Sequence, residues 1–319
     1  MENLFYNISQ VLGITIIHSM WQGLIIYIVM RMYLQCFSSA SSTSKYKVSF
    51  ASLMLMLGWF IYTLLTEVSR YNWSPAAVNP LFAHLPVTLP AALHELTAPD
   101  SRYSFIFAGY MPYVTMTYLA GLLFNTLKML LAWNNVYRIR QNITTAGFEG
   151  QISRLCNKIG LAKRVQVAFS EWVDVPCITG FIKPIILLPF TIGSYLTTDE
   201  ISAILLHELA HIKRNDYLLN IIQQAVSILL FFNPFARLIN KDINQERENC
   251  CDDAVIKITG SPLAYAQALL KLEENKQQQW QLSLAATGKK YHLLNRIERI
   301  MKTKKTTINI RPALVALLL

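Results

Sequence analysis

Leu205–Asp216 reads LLHELAHIKRND. His207 and His211 are four residues apart, so on a helix they leave the same face and their imidazoles can reach one metal ion. Glu208 sits beside them. Zinc hydrolases use this arrangement, with two neutral histidines binding Zn²⁺ and the glutamate taking a proton from the attacking water. The plain alternative is an amphipathic helix carrying two surface histidines. The surrounding sequence bears on the choice. Thr197-Thr-Asp-Glu200 upstream fits a capping box, which predicts a helix starting there and running through His211.

Two neutral nitrogens and a water leave one ligand to find. Downstream, Glu246-Arg-Glu-Asn-Cys-Cys-Asp-Asp253 falls within a helix predicted over 240–258, stopped by Gly260 and Pro262. A chain with only 19 acids places four of them in these eight residues. Glu248 and Asp252 share a face, so one can bind zinc while the other accepts a hydrogen bond from a ligand histidine. Their spacing does not say which. Glu246 and Asp253 lie off that face. Cys250 and Cys251 are the soft donors nearby, and Cys251 reads as packing beneath the site.

Two short strands are expected before the motif helix. Val165–Ser170 (VQVAFS) alternates and is β-branched, and Ile185–Leu188 follows a turn marked by Gly180 and Pro184. The expectation is a small sheet whose free edge, formed by Ile185, Ile186, Leu187 and Leu188, holds an extended peptide. His292 is a further candidate substrate or oxyanion ligand, although a histidine near a helix start is also ordinary. Helices are expected over 262–276 and 293–301, with a loop at Gln277–Lys290 between them. Asn134–Gly160 reads as one polar helix.

The rest of the chain is not built for water. Of 319 residues, 53% are hydrophobic and 15% charged, against roughly 25% charged in soluble chains. Three charge-poor apolar runs reach the ~20 residues a bilayer requires. Transmembrane helices are therefore expected at about 5–35, 48–67 and 105–132, with an extracytoplasmic loop at 68–104. The first run is too long and too weakly charged at its start for a cleavable signal peptide. An apolar run from Ala313 reads as the start of a fourth span within a longer protein. Tyr217–Ala236 is also apolar, but Asn220, Gln223, Gln224 and Ser227 draw a polar stripe along it. It is expected to pack within the soluble part or lie against the membrane surface.

Lys and Arg crowd the link after the first run and the segment after the third. The positive-inside rule then places the N-terminus outside and residues 134–311 in the cytoplasm. The net charge of +10 is read as contact with anionic lipid, because no nucleic-acid-reading motif accompanies the basic residues. The five cysteines match no disulfide framework.

Four stretches in this order, HSMWQG (His18–Gly23), GFIKPIILLP (Gly180–Pro189), LLHELAHIKRND and RENCCDD (Arg247–Asp253), resemble the BlaR/MecR family. These are integral-membrane zinc metallopeptidases that act as sensor-transducers. The resemblance implies His207 and His211 as zinc ligands, Glu208 as general base, Glu248 as third ligand and Asp252 as the acid behind them. It implies a mostly α membrane protein of the inner or cytoplasmic membrane, with a cytoplasmic α+β gluzincin-like domain over 134–311. Its substrate would be a cytoplasmic repressor or the chain itself, with a self-cleavage point expected in Gln277–Lys290. Oligomerisation stays open. Two rivals are kept. One is a membrane quality-control or processing protease like HtpX and the CAAX proteases. The other is a non-catalytic transducer with a structural zinc, against which an intact Glu208 argues.

Overall fold

The computed structural model describes residues 2–70, 100–141, 144–145, 147–180, 183–280 and 290–302. The outer link beyond Arg70, most of the proposed self-cleavage stretch and the run from Ala313 lie outside the described residues.

Three helices, α1 (Glu2–Cys36), α2 (Ser42–Arg70) and α3 (Asp100–Gln141), are long and apolar enough to cross a membrane. The polar helix expected over Asn134–Gly160 is broken. α3 ends at Gln141, Thr144–Thr145 forms strand β1, and a separate helix α4 covers Glu149–Ile159. Two β-branched threonines followed by Gly147 favour the break over continued helix. His18 bonds within its own helix, its Nδ1 accepting from Trp21 Nε1 at 3.0 Å, rather than to a neighbour.

A four-stranded sheet follows, ordered β1, β2 (Gln166–Ser170), β4 (Ile185–Pro189), β3 (Cys177–Thr179). β4 is parallel to β2 and antiparallel to β3. All five of its residues are buried, as expected of a strand paired on both sides. Ile185, Ile186, Leu187 and Leu188 therefore cannot serve as a free peptide-binding edge. On that side of the sheet the edge belongs to β3.

A short turn, α5 (Ile192–Tyr195), leads into α6 (Thr198–Lys213). The capping box is formed. Glu200 N donates to Thr197 Oγ1 (3.3 Å) and Thr197 N to Glu200 Oε2 (2.8 Å). Then come α7 (Asp216–Leu229), α8 (Pro234–Thr259), α9 (Pro262–Trp280) and α10 (Lys290–Met301). α8 begins six residues before the expected start, because Asn233 caps it and Pro234 occupies its first turn. Its other end stops at Gly260, in the left-handed region at φ 63°. α9 runs on through part of the expected loop, to Trp280.

The apolar run at 217–236 is two helices and a turn rather than one helix. The α7–α8 turn is seated among α1, α2 and α3. Phe232 packs on Phe60 and Tyr118, and Phe231 stacks on Tyr118. The buried Asn233 donates to Ser19 O at 2.8 Å. Gly23 makes this approach possible, since a Cβ there would meet Asn233 Nδ2 at 2.8 Å and Met56 Cε at 2.5 Å. The polar stripe faces α8. Gln223 Nε2 donates to Asn240 and Asn244 (both 3.0 Å), and Asn240 donates to Ser227 Oγ (2.8 Å).

Among the described residues two large hydrophobic cores result, beside a small cluster of Ala168, Ile185 and Leu187. One gathers residues of α1, α2, α7 and the first part of α8, including Leu53, Met56, Leu230, Ile239 and Ile243. The other lies between the sheet, α4, α6, α9, α10 and the end of α8, with Ile186, Leu188, Leu205, Leu209, Val255 and Tyr265 at its centre.

Glu200 joins α6 to α9 as well as capping α6. Burial opposes its charge, but hydrogen bonds from Lys271 Nζ (2.7 and 2.9 Å) and Thr197 outweigh that and hold its carboxyl below the usual value of 4.5. A group with a lowered native pKa stabilises above that value and loses the contribution as pH falls through it. Glu200→Gln is expected to lower the thermal midpoint at pH 7, with a cost of about 1–2 kcal/mol. The difference from wild type should shrink as the pH falls below 4.5 and through the lowered native value. Thermal unfolding of both chains in detergent across pH 3–7 checks this.

Candidate active site

The two histidines leave one face of α6, and α8 crosses it so that Glu248 meets them. His207 Nε2 lies 3.3 Å from His211 Nε2 and 3.3 Å from Glu248 Oε2, and His211 Nε2 is 3.7 Å from Glu248 Oε1. Ligand atoms about 2.0–2.1 Å from a tetrahedral ion are about 3.3 Å apart. The donor set and its spacing therefore fit a small tetrahedral cation with one position left open.

Each histidine is steered from behind by its other nitrogen. His211 Nδ1 is 2.8 Å from Asp216 Oδ2. The stretch that supplies the ligands also supplies this partner. α6 ends at Arg214, Asn215 adopts the left-handed conformation at φ 54°, and the chain folds Asp216 back five residues onto the ring. Asparagine enters that region at low cost. Arg214 Nε completes the arrangement by donating to Asp216 at 3.2 and 3.3 Å. On the other side, His207 Nδ1 lies 2.8 Å from Tyr265 Oη and 3.4 Å from Asp252 Oδ1.

Asp252 has no exposure to solvent. Tyr265 Oη donates to it at 2.7 Å, and Arg296 grips it through Nη2 (2.7 Å) and Nε (3.0 Å). Burial favours its neutral form, but His207 and Arg296 outweigh that and hold the carboxyl well below its ordinary range. Arg296 Nη1 also lies 3.4 Å from Glu248 Oε2. Burial disfavours charge on His207 too. Asp252 and Glu248 reverse the sign and raise the ring to about 9. A metal cation binding at this ring would compete with a proton.

Cys251 is fully buried, with Sγ 3.4 Å from His211 Nδ1, behind the ring. Burial pushes its thiol far up. It stays neutral and packs beneath the site. On β3, burial together with the Glu208 carboxylate pushes the Cys177 thiol up to about 11, so this cysteine is no nucleophile either.

A cleft of about 400 Å³ opens over the group. His207, Glu208, His211 and Glu248 line it, together with Val175–Ile178, Tyr217, Asn220, Arg247, Leu269, Leu272 and Arg296. Glu208 is half-buried, and desolvation raises its carboxyl above the ordinary value.

Of the residues expected from sequence, His207, His211, Glu248, Glu208 and Asp252 are brought together. Ile185–Leu188 are interior to the sheet. His292 falls on α10, and its side chain is outside the described residues. Sequence reading missed Asp216, Tyr265, Arg296 and Arg214. Only Asp216 carried a local signal, standing one residue after a turn-forming asparagine and five after a ligand histidine.

The family model described as BlaR1 peptidase M56 matches residues 10–300. The chain is 28% identical over 291 residues to the regulatory protein BlaR1 of Bacillus licheniformis, covering 85% of this chain and 48% of that one. It is 22% identical over 284 residues to the methicillin resistance mecR1 protein of Staphylococcus aureus strain Mu50, covering 85% and 47%. A protease HtpX homolog of Methanopyrus kandleri matches over 155 residues at 28% identity, covering 38% of this chain and 49% of that one. The crystal structure of S. mikatae Ste24p aligns over 92% of this chain and 99% of its own at 14% identity, with a TM-score of 0.33. The chain spans about half the length of the BlaR1 and mecR1 relatives. With three apolar helices and a His–His–Glu group that could hold a metal ion, the chain is a membrane protein of the BlaR1 peptidase M56 family.

Proposed function

We propose that this chain is a zinc endopeptidase of a signal-transduction system, with its gluzincin-like site facing the cytoplasm. It hydrolyses peptide bonds of a cytoplasmic regulator or of itself. The observation that carries this reading is the convergence of His207, His211 and Glu248 at tetrahedral spacing beside Glu208, in an open cleft.

His207, His211 and Glu248 would hold the zinc. When bound, the ion supplies Lewis acidity, lowering the pKa of water towards 7 and polarising a peptide carbonyl. The rest falls to the protein. Glu208 accepts the proton of the attacking water and returns it to the departing amine. Asp216 and Tyr265 hold the two rings by their Nδ1 atoms, which leaves both Nε2 atoms turned towards Glu248, where they would bind the ion. Arg296 keeps Glu248 and Asp252 ionised and in place. β3 offers its unpaired edge to the substrate, and Val175–Ile178 lie along the cleft. An extended peptide adding to that edge passes over Glu208.

Two outcomes test the assignment. Glu208→Ala should abolish cleavage and leave about one zinc per chain by elemental analysis, whereas His207→Ala and Glu248→Ala should lose both metal and activity. Cleavage by Glu208→Ala at the wild-type rate would sink the mechanism. Asp216→Asn removes the carboxylate behind His211 without touching a ligand. It should weaken zinc binding on the order of 10- to 100-fold in a chelator competition.

A further inference from the structure

Arg247 stands in the same cleft as the metal-ligand cluster, one residue before Glu248, and takes no part in it. The other arginines around the site are taken up by acids. Arg214 is held by Asp216, Arg296 by Asp252 and Glu248, and Arg299 by Asp253. Arg247 forms no ion pair among the described residues, although it sits in the most acidic stretch of the chain.

Neutral amides cradle it instead. Nη1 donates to Asn220 Oδ1 (3.2 Å) and Gln223 Oε1 (3.4 Å), and Nη2 to Asn244 Oδ1 (3.0 Å). These oxygens are themselves oriented, because the Gln223 amide group is spent on Asn240 and Asn244. Amide oxygens solvate a guanidinium and fix its plane but leave its charge uncompensated. A half-buried arginine, held rigidly and facing a cleft without its counter-ion, is poised for an anion from outside.

The donors left over indicate the form of that anion. Nε–H and one Nη2 proton have no acceptor among the described residues. Nε and Nη2 lie on one edge of the guanidinium, the edge through which Arg296 grips Asp252 with two hydrogen bonds. A carboxylate can accept from the free Nε–H on that edge. We propose that Arg247 is a specificity-determining residue that selects peptides with an Asp or Glu side chain near the scissile bond. The inference rests on the peptidase reading above and deepens it by naming the substrate class.

The test uses the full chain in detergent, loaded with zinc, and a peptide library read by mass spectrometry. Cleaved sequences are then resynthesised in pairs that exchange Asp for Asn or Glu for Gln at each position flanking the cut. At one position the acidic member should be preferred roughly 10- to 100-fold in kcat/KM, the range of a charged hydrogen-bonded pair. Arg247→Gln should collapse that ratio towards one, and Arg247→Glu should turn the preference towards Lys. The Glu208→Gln chain, which does not turn over, should show the same acidic preference in peptide binding by fluorescence anisotropy. Wild-type cleavage indifferent to charge, or a ratio that survives Arg247→Gln, would overturn the inference and leave the peptidase standing. Failure of the zinc-loaded wild type to cut any library member would overturn the peptidase reading and the inference with it.

Discussion

A carboxylate with no access to water is the constraint around which the site is assembled. An ionised acid in the interior is costly unless its lone pairs are met by donors and its charge by a cation. Asp252 on α8 meets both conditions through Tyr265 of α9, Arg296 of α10 and the ring of His207 on α6. Four helices, α6, α8, α9 and α10, are thereby joined through one side chain. Removing Arg296 takes the guanidinium from a carboxylate in the core, which is far more disruptive than losing a surface ion pair. The same network sets the direction of His207, so the stability of the domain and the geometry of the ligands share a cause.

α8 carries a second consequence. Its first half, through Ala236, Ile239 and Ile243, belongs to the core made with α1 and α2, and its last turns, through Cys251 and Val255, belong to the core under the site. Glu248 lies between them. The neighbouring cysteines divide in the same way, Cys250 to the membrane-side core and Cys251 beneath His211. Polar contacts reinforce the junction. Ser42 at the start of α2 donates to Asp253, and Arg299 of α10 reaches both. A continuous helix is stiff over this length, so a shift of α1 against α2 at the Asn233 turn must be carried towards Glu248 or absorbed by breaking contacts along α8.

Much of the site was legible because its chemistry is local. Two histidines four apart, an adjacent glutamate and two acids four apart on a later helix are periodicities that survive any tertiary arrangement. The capping box of α6 and the Gly260 stop of α8 were legible for the same reason. What sequence could not supply was pairing across distance. Ile185–Leu188 has the apolar, β-branched character of a strand, but whether such a strand is an edge depends on β3, three residues contributed by a separate segment. Tyr265 and Arg296 carry no mark that separates them from other tyrosines and arginines, since their role exists only once α9 and α10 close over α8. The stripe on α7 was visible, but nothing local marks Asn240, Asn244 and Arg247 of the next helix as its partners, since that pairing exists only once α7 packs on α8.

The stretch LLHELAHIKRND holds more of its own support than its ligand spacing suggests. The helix that presents His211 must stop soon after it, or Asp216 would be carried round to another face and the ring would lose its partner. Asn215 makes the stop by taking the left-handed conformation, and Arg214 holds the returning carboxylate in register. His207 has no such local partner. The residues that follow it are needed to continue the helix to His211, so the group behind its ring must come from elsewhere in the fold. One ligand is oriented by its own turn and the other by the closure of α8, α9 and α10. The spacing of the two Nε2 atoms therefore tests whether the domain is closed, and a metal ion binds tightly only when the long-range packing has brought the second ring to meet the first.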